Sequence, residues 1–473
     1  MRIARSVLAL AASAAVATAG GAAAEETRLG ADTRIGLTVT VYGDGLGVVS
    51  DRRVLELRQG GSRLAFADVS REMVPSSAVL RAADGVRIAE VGYDFDLVTP
   101  EALLRRSVGR DVEVVRTHPT TGEDSVESAT LLGAEGGVVL RYRDRVEIGL
   151  PGRLVFRDLP ADLRPLPTLV ASVDSDAAGR RELDLGYLTE GLSWQADYAI
   201  EIDEANGRLD LAGRATVTNL TGTDFPDATL GLVAGRVNRV AAPEPRPQHR
   251  MMAMAAVAAD AAMPAREAVG DLHLYTLDRP ASIGDRQTRQ FALLAAAGVA
   301  FGREYVSEAG GPVFGRQPGP PRPTHPRVVL RFANAAADGA GVPLPAGVAR
   351  VFARDGAGQL RLLGEDRLDD TPVGGEVTLS PGEAFDITVR RLQTDFVRAG
   401  LPEGVFESAY RLEVANAKPV AVTVTLVEAV SGQATVLQES APHEPEAADR
   451  LVWRLPVAAG GSAVLTYRVR VQR

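Results

Sequence analysis

Leu192, Trp194, Ala196, Tyr198, Ile200 and Ile202 alternate with Ser193, Gln195, Asp197, Ala199, Glu201 and Asp203. A period of two over this stretch predicts a half-buried antiparallel strand. Asn206-Gly207 comes next and predicts a type I′ hairpin turn, with positive φ at both residues. The return strand then places Leu209, Leu211, Gly213, Ala215 and Val217 on one face, opposite Asp210, Arg214, Thr216 and Thr218. The C-terminal stretch has the same rhythm. Tyr410, Leu412 and Val414 alternate, Asn416-Ala417-Lys418-Pro419 turns, and Val420, Val422, Val424 and Leu426 alternate again. Trp453, Leu455 and Val457 precede a Gly460-Gly461 turn, and Ala463, Leu465, Tyr467, Val469 and Val471 end the chain. Strands at this spacing predict an immunoglobulin-like sandwich.

The region before residue 170 has a different pattern. Thr99-Pro100-Glu101 combines an N-cap, a first-turn proline and an acid at the positive end of the helix dipole. The helix should end near Gly109. Short strands follow at Val112–Val115, Ser128–Leu132, Val138–Tyr142, Val146–Ile148 and Leu154–Phe156, predicting a small SH3- or Sm-like barrel over 99–160. Ala241–Gly270, rich in Pro, Ala and Met, and Gly310–Pro326, rich in Gly and Pro, read as loops. No internal repeat is expected. The fold class is all-β: multidomain antiparallel β-sandwiches with a small barrel and few short helices. The expected organisation is an N-terminal β-domain over 25–170, a hairpin region over 171–240 and a disordered linker over 241–270. A second β-domain over 271–400 and terminal strands over 401–473 complete it.

Composition adds a compartment. Arg2 and Arg5 precede an uncharged, Ala-rich stretch that ends in Ala22-Ala23-Ala24, and Glu25-Glu26 follow. This is the layout of a secretory signal peptide cleaved after Ala24, which implies a periplasmic or secreted protein. No later stretch is apolar for long enough to predict a transmembrane helix in the mature chain. The chain has 473 residues and a formal charge of −9; loss of Arg2 and Arg5 makes that −11. An acidic balance argues against nucleic acid as a partner, because phosphates are neutralised by Lys and Arg. There is no cysteine, so no disulfide supports the fold.

The chemistry on offer is sparse. Lys418, the single lysine, sits in a turn, as a solvated amine would. His118, His249, His273, His325 and His443 form no metal-ligand spacing. Gly43-Asp44-Gly45-Leu46-Gly47 resembles half of a dinucleotide loop, but strand-like residues follow, so it reads as a hairpin turn. Asp174-Ser175-Asp176-Ala177-Ala178-Gly179 resembles the start of a calcium loop, yet Ala178 and Leu185 offer no side-chain oxygen where ligands belong, so it too reads as a turn. Asn219-Leu220-Thr221 fits a glycosylation sequon and, at a strand end, an Asx turn. Trp194 and Trp453 lie on apolar strand faces and are expected in the core. Asp386 should oppose Phe385, Ile387 and Val389 and be solvated. Met251-Met252-Ala253-Met254, with His249 upstream, offers soft ligands for copper(I) but has the irregular spacing of a linker.

Leu188-Thr189-Glu190-Gly191-Leu192-Ser193-Trp194-Gln195-Ala196-Asp197-Tyr198 resembles the signature segment of the bacterial domain of unknown function 4139. Similar motifs follow at Val217–Gly222, Leu232–Asn238, Pro343–Val351 and Pro381–Asp386. The resemblance runs from about Gly36 to the C-terminus. It implies an exported, β-rich envelope protein, distantly similar to the mucoidy inhibitor A type, with no catalytic residue, metal or cofactor to carry over. The function expected is therefore a non-catalytic binding or scaffold role, its partner an envelope protein or polymer. The alternatives are a hydrolase acting on an envelope polymer through paired carboxylates, and a copper-handling protein using the Met-rich loop.

Overall fold

Period-two burial runs through the longest strands of the computed structural model, such as Leu46–Leu57, Leu192–Asp203 and Arg208–Asn219; the structure is 65% strand and 3% helix and contains several sheets. The structure describes residues 26–94, 97–160, 163–235, 237–238, 265–269, 272–309, 315–316, 322–337, 339–398, 402–430, 432–447 and 449–472. The signal-peptide region and most of the Met-rich segment, including Met251, Met252, Met254 and Met263, lie outside the described residues. The chain divides into two units. One comprises Met1–Gly36 and Ser50–Tyr187, the other Leu37–Val49 and Leu188–Arg473.

In the first unit, four strands pair in the order Glu26–Leu29, Gly60–Ala67, Thr168–Ser175, Val86–Asp94. The first pair is parallel and the next two are antiparallel. Arg53 is fully buried here. Its guanidinium donates to the carbonyls of Leu29 and Ala67, and to Asp51 at 2.6 Å. Arg34 donates to the same carboxylate at 3.0 Å. Burial pushes the Asp51 carboxyl up, but the hydrogen bonds and charges of Arg53 and Arg34 outweigh it and hold its pKa below the ordinary value.

The same unit contains the predicted helix, Pro100–Arg106, capped by Thr99, whose hydroxyl accepts from Ala102 N at 3.1 Å. Five antiparallel strands follow, in the order Val146–Ile148, Val139–Arg141, Asp124–Gly133, Asp111–Thr117, Arg153–Val155. They pack with Leu104 of the helix on a core of Val112, Val114, Ala129, Leu131, Leu140 and Tyr142. The expected barrel is corrected to an open sheet. Among the described residues its edge strands, Val146–Ile148 and Arg153–Val155, do not pair with each other. Each is too short to reach across and close the ring.

The second unit is a tandem array, which overturns the expectation of no internal repeat. Three modules share five strand roles. The first has an opening strand Leu192–Asp203, a corner strand Arg208–Asn219, a crossing strand Phe225–Ala234, return strands Leu272–Thr276 and Ala281–Ile283, and a closing strand Gln287–Ala300. The second uses Gly302–Ala309, Arg327–Ala333, Gly347–Arg354, Leu360–Leu368 and Glu376–Glu383 in the same roles. The third uses Ile387–Val397, Val405–Asn416, Val422–Ala429, Arg450–Val457 and Ser462–Gln472. In each, the corner strand lies between the opening and closing strands, antiparallel to both. The crossing strand leaves its own sheet and pairs in parallel with an earlier strand. Gly347–Ala353 pairs with Ala196–Ile202, and Val424–Glu428 with Tyr305–Ala309. Thr229–Val233 of the first module does the same with Thr38–Tyr42. The sheets of the first and second modules therefore each hold three strands of that module and the crossing and return strands of the next.

A buried asparagine marks each corner. Asn219 Nδ2 donates to Thr223 O and Ile283 O at 2.9 and 3.1 Å. Asn416 Nδ2 donates to Val420 O and Ala458 O at 2.9 and 3.0 Å. Asn334 Nδ2 donates to Val342 O and Pro372 O at 2.7 and 3.2 Å. In the first and third corners the side-chain oxygen accepts the N–H two residues on, from Thr221 and Lys418. One amide thus ties the corner both to the approach to the crossing strand and to the turn before the closing strand.

Two local expectations change. The hairpin after Asp203 is a four-residue loop, 204–207, not a type I′ turn. The Asp203 carboxylate accepts Ala205 N and Asn206 N, which winds the loop and leaves Gly207 alone at positive φ. Ala265–Val269, expected as loop, is a strand on Leu272–Thr276. An outer strand pairs through its backbone without needing an alternating sequence.

Trp194 is 6% exposed and its indole N–H donates to Val233 O at 3.0 Å. Trp194→Ala should therefore cost about 3–5 kcal/mol, as for other buried aromatics; an unchanged melting temperature would contradict the burial. Asn219→Ala leaves two buried carbonyls without a donor, and Asn416→Ala two partly buried ones. Each should cost about 1–3 kcal/mol in denaturant titration, and losses well below that range would show that the corners are not structural. Asp51→Asn exposes Arg53 and Arg34 to uncompensated burial and should cost about 3–5 kcal/mol near neutral pH. The lowered Asp51 pKa supplies stability that is present above the unfolded carboxyl value, about 3.9, and lost as pH falls through the folded one. Thermal melts from pH 7 to pH 2 should show a shallower acid limb for Asp51→Asn than for wild type.

Candidate functional site

The described residues of the second unit form cavities lined by clustered charges. The first, about 690 Å³, sits where the hairpin of the first module meets the end of the second module's crossing strand. Glu201, Asp203, Glu204 and Asp210 face Arg208 and Arg354 there. Alternation brings Glu201 and Asp203 to the polar side of their strand, and the loop adds Glu204. Each carboxylate is matched. Arg354 donates to both oxygens of Glu201, at 2.6 and 3.1 Å. Arg303 donates to Glu204 at 2.5 Å, and Gly298 N to Asp210 at 2.8 Å. Hydrogen bonds from Asn206 hold the Asp203 carboxyl below its ordinary pKa, and the Arg303 guanidinium does the same for Glu204.

The second cavity, about 460 Å³, is a groove on the sheet shared by the second and third modules. Arg327, Arg331, Arg450 and Arg454 line it with Glu304, Glu308, Asp366 and Glu376. Arg450 and Arg327 donate to Glu308 from two sides, at 2.6 and 3.3 Å. Arg331 donates to Glu376 at 2.9 Å and lies 3.4 Å from Glu304. Arg327, Arg331 and Arg450 make a ladder of cross-strand pairs with Glu304, Glu308 and Glu376, while Arg454 pairs with Glu444 and Asp366 accepts the N–H groups of Arg367 and Ser380. Such exposed pairs contribute little stability but keep an outer sheet face hydrated.

Inside the third module, a buried ion pair crosses the sandwich. Arg391 of the opening strand donates to both oxygens of Glu428 on the crossing strand, at 2.8 and 2.9 Å. Its guanidinium lies 3.8 Å from the Tyr410 ring. Tyr410, Tyr467 and Trp453 then stack in sequence, with centroids 5.3 and 4.8 Å apart. Burial works against the Arg391 charge, but the Glu428 carboxylate outweighs it and raises the pKa.

The residues singled out in the sequence do not converge. Trp194 and Trp453 are core, as expected. Gly43-Asp44-Gly45 is a hairpin turn, with Gly45 at φ +85°, and Asp174–Gly179 spans the turn between two strands. Asn219 is wholly buried in its corner, so the sequon is closed to modification. Lys418 is half-buried, its ammonium 5.6 Å from the Tyr305 ring rather than fully solvated. Asp386 is exposed, but Phe385 is not on the core side: it is 85% exposed and stacked on His325. The closing strand ends at Glu383 and the next opening strand starts at Ile387, so 384–386 is a turn that breaks the alternation. His249 and the methionine cluster lie outside the described residues. Among the described residues no group of three or more His, Asp or Glu could hold a metal, and no helix is long and apolar enough to cross a membrane.

Sequence reasoning did not single out Arg53, Arg391 or Glu428. Arg53 shares its strand face with Val49, Leu55 and Leu57, and Arg391 with Ile387 and Val389, which was the available signal for a buried charge. No curated protein matches the chain. Residues 183–472, which begin just before the first opening strand and contain all three modules, match the model of the domain of unknown function DUF4139. That match covers more than half of the chain, and the protein belongs to the DUF4139 family.

Proposed function

We propose that the protein is exported, loses its leader after Ala24, and serves in the cell envelope as a non-catalytic binding or scaffold component. The observation that carries this reading is the pairing of the cavity carboxylates. A polymer hydrolase of the paired-carboxylate kind needs one carboxyl held protonated near neutral pH, by burial or a like charge. Here Asp203 and Glu204 are driven the other way, and Glu201 is engaged through both oxygens by Arg354. Such sites are built to hold strands and loops in register. Export is supported by the Arg2 and Arg5 leader, and an envelope partner by the acidic, cysteine-free mature chain.

Intact-mass measurement of protein made in its own host should show a chain that begins at Glu25. Retention of residues 1–24 would overturn the export reading. Purified protein should release no soluble fragments from peptidoglycan or envelope polysaccharide. Release that is lost in Glu201→Gln or Asp210→Asn would replace the scaffold reading with the hydrolase. In-cell crosslinking followed by mass spectrometry should recover envelope components; recovery confined to cytosolic proteins would count against it. Thermal stabilisation by copper(I), lost when Met251, Met252 and Met254 are replaced by Leu, would favour the metal-handling reading instead.

A further inference from the structure

The chain has five asparagines, and Asn206 is the one followed by glycine. Asn219, Asn334 and Asn416 are buried in the corners, where their amides hold backbone carbonyls. Asn206 is exposed instead, in the 204–207 loop whose Glu204 and Ala205 line the cavity of about 690 Å³. An asparagine side chain is open to attack by the next backbone nitrogen when the next residue is glycine, because no side chain shields that N–H. Gly207 stands at φ +61°, and its carbonyl accepts Phe301 N at 3.2 Å. Gly207 is thereby anchored, so the group that must move for the two to meet is the Asn206 side chain.

That side chain is tied down by one neighbour. Asn206 Nδ2 donates to Asp203 Oδ2 at 2.7 Å, while Asn206 N and Ala205 N donate to Oδ1 at 3.2 and 3.1 Å. This is an Asx-type brace of the loop by its first carboxylate. To bring Cγ onto Gly207 N, the amide must release Asp203. The charge of Asp203 also opposes the negative charge that develops on the amide oxygen during attack. The Asn206 side chain is in turn the largest influence that holds the Asp203 carboxyl below its ordinary pKa, so the contact keeps its own acceptor ionised.

We propose that Asn206 is a site of spontaneous deamidation in the folded protein and that Asp203 is the positioning residue that slows it. Gly207 N attacks Asn206 Cγ, and the new C–N bond forms as the Cγ–Nδ2 bond breaks. Nδ2 leaves as ammonia with the Gly207 proton, and a five-membered imide remains. Water then adds to one imide carbonyl and opens the ring, which leaves aspartate or isoaspartate at position 206. Nothing is oxidised or reduced. Either product loosens the loop. Aspartate puts a carboxylate where the amide N–H met Asp203 Oδ2, so a hydrogen bond becomes a like-charge contact. Isoaspartate routes the main chain through Cβ and adds an atom between Asp203 and Arg208, which face each other across the hairpin. The change falls beside Glu204, whose pairing with Arg303 ties the loop to the opening strand of the second module. The proposal stands apart from the compartment and the scaffold role, and either can fail alone.

The full chain is incubated in heavy-oxygen water at mildly alkaline pH, folded and in urea, then digested and mapped by mass spectrometry. Opening of the imide places one heavy oxygen in residue 206. In the folded chain, label is expected there ahead of Asn219, Asn334 and Asn416. Asp203→Ala should speed labelling several-fold in the folded chain and leave it unchanged in urea, where the contact is gone. Asp203→Asn keeps an oxygen for the loop N–H groups without the charge, so its rate should fall between the two. Circular dichroism melts check that both variants fold. Asn206→Asp, which carries one of the two products, should melt below wild type. Absence of label at position 206 in the folded wild type, with the urea sample labelled, would overturn the site. Equal folded rates for wild type and Asp203→Ala would overturn the role of Asp203. A wild-type melting temperature for Asn206→Asp would overturn the loosening of the loop.

Discussion

The parallel pairing of a crossing strand with an earlier opening strand is the contact on which the second unit depends. A strand edge left in water keeps its backbone hydrogen bonds but offers a template for unwanted pairing, and one buried without partners is costly. Each module meets this constraint by sending one hairpin into the sheet before it. Neighbouring modules therefore share a sheet rather than meeting as separate beads. Tyr305, on the second opening strand, belongs to the same core as Ile387, Tyr410, Leu426 and Trp453 of the third module. Removing one module would strip both a core and a sheet from its neighbour, as in other repeat proteins whose units are not independently stable.

Buried polar groups enforce the geometry that this sharing requires. The corner asparagines fix where the chain leaves one sheet for the other. Apolar side chains fill such a corner without selecting a direction, whereas an amide with two donors specifies two carbonyls. Arg391 and Glu428 do the same across the third sandwich, because their paired geometry is satisfied in one register of opposing sheets. Arg53 holds the end of the Glu26–Leu29 strand in the first unit. Such groups gain little net stability against an apolar replacement, and their use here is to fix position.

The same economy explains why the cavities read as structural surfaces. In both cavities arginines are paired with glutamates on neighbouring strands. Carboxylates in those positions are engaged by arginines or backbone N–H groups. The proposed binding or scaffold role rests on that engagement of the cavity carboxylates.

Much of the strand pattern was legible in the residues alone. Alternation in 192–203, 209–218 and 410–414 named strands and their buried faces, and Thr99-Pro100 marked the helix start, because periodicity and capping are local properties. The Leu188–Tyr198 segment also carried the family resemblance. The repeat was not legible. Its modules share little beyond a corner asparagine, and residues 220–224 and 417–421 after two corners become 335–346 after the third. The crossing strand's partner lies in another module, so no local window contains the pair. Phe385 illustrates the same limit at one residue: alternation placed it inside, and the turn at 384–386 put it outside. Sequence alone thus determined which stretches become strands and which faces are apolar. Tertiary structure alone decided which edges meet, because strand pairing is a contact between distant segments and is set by which sheet still has an open side.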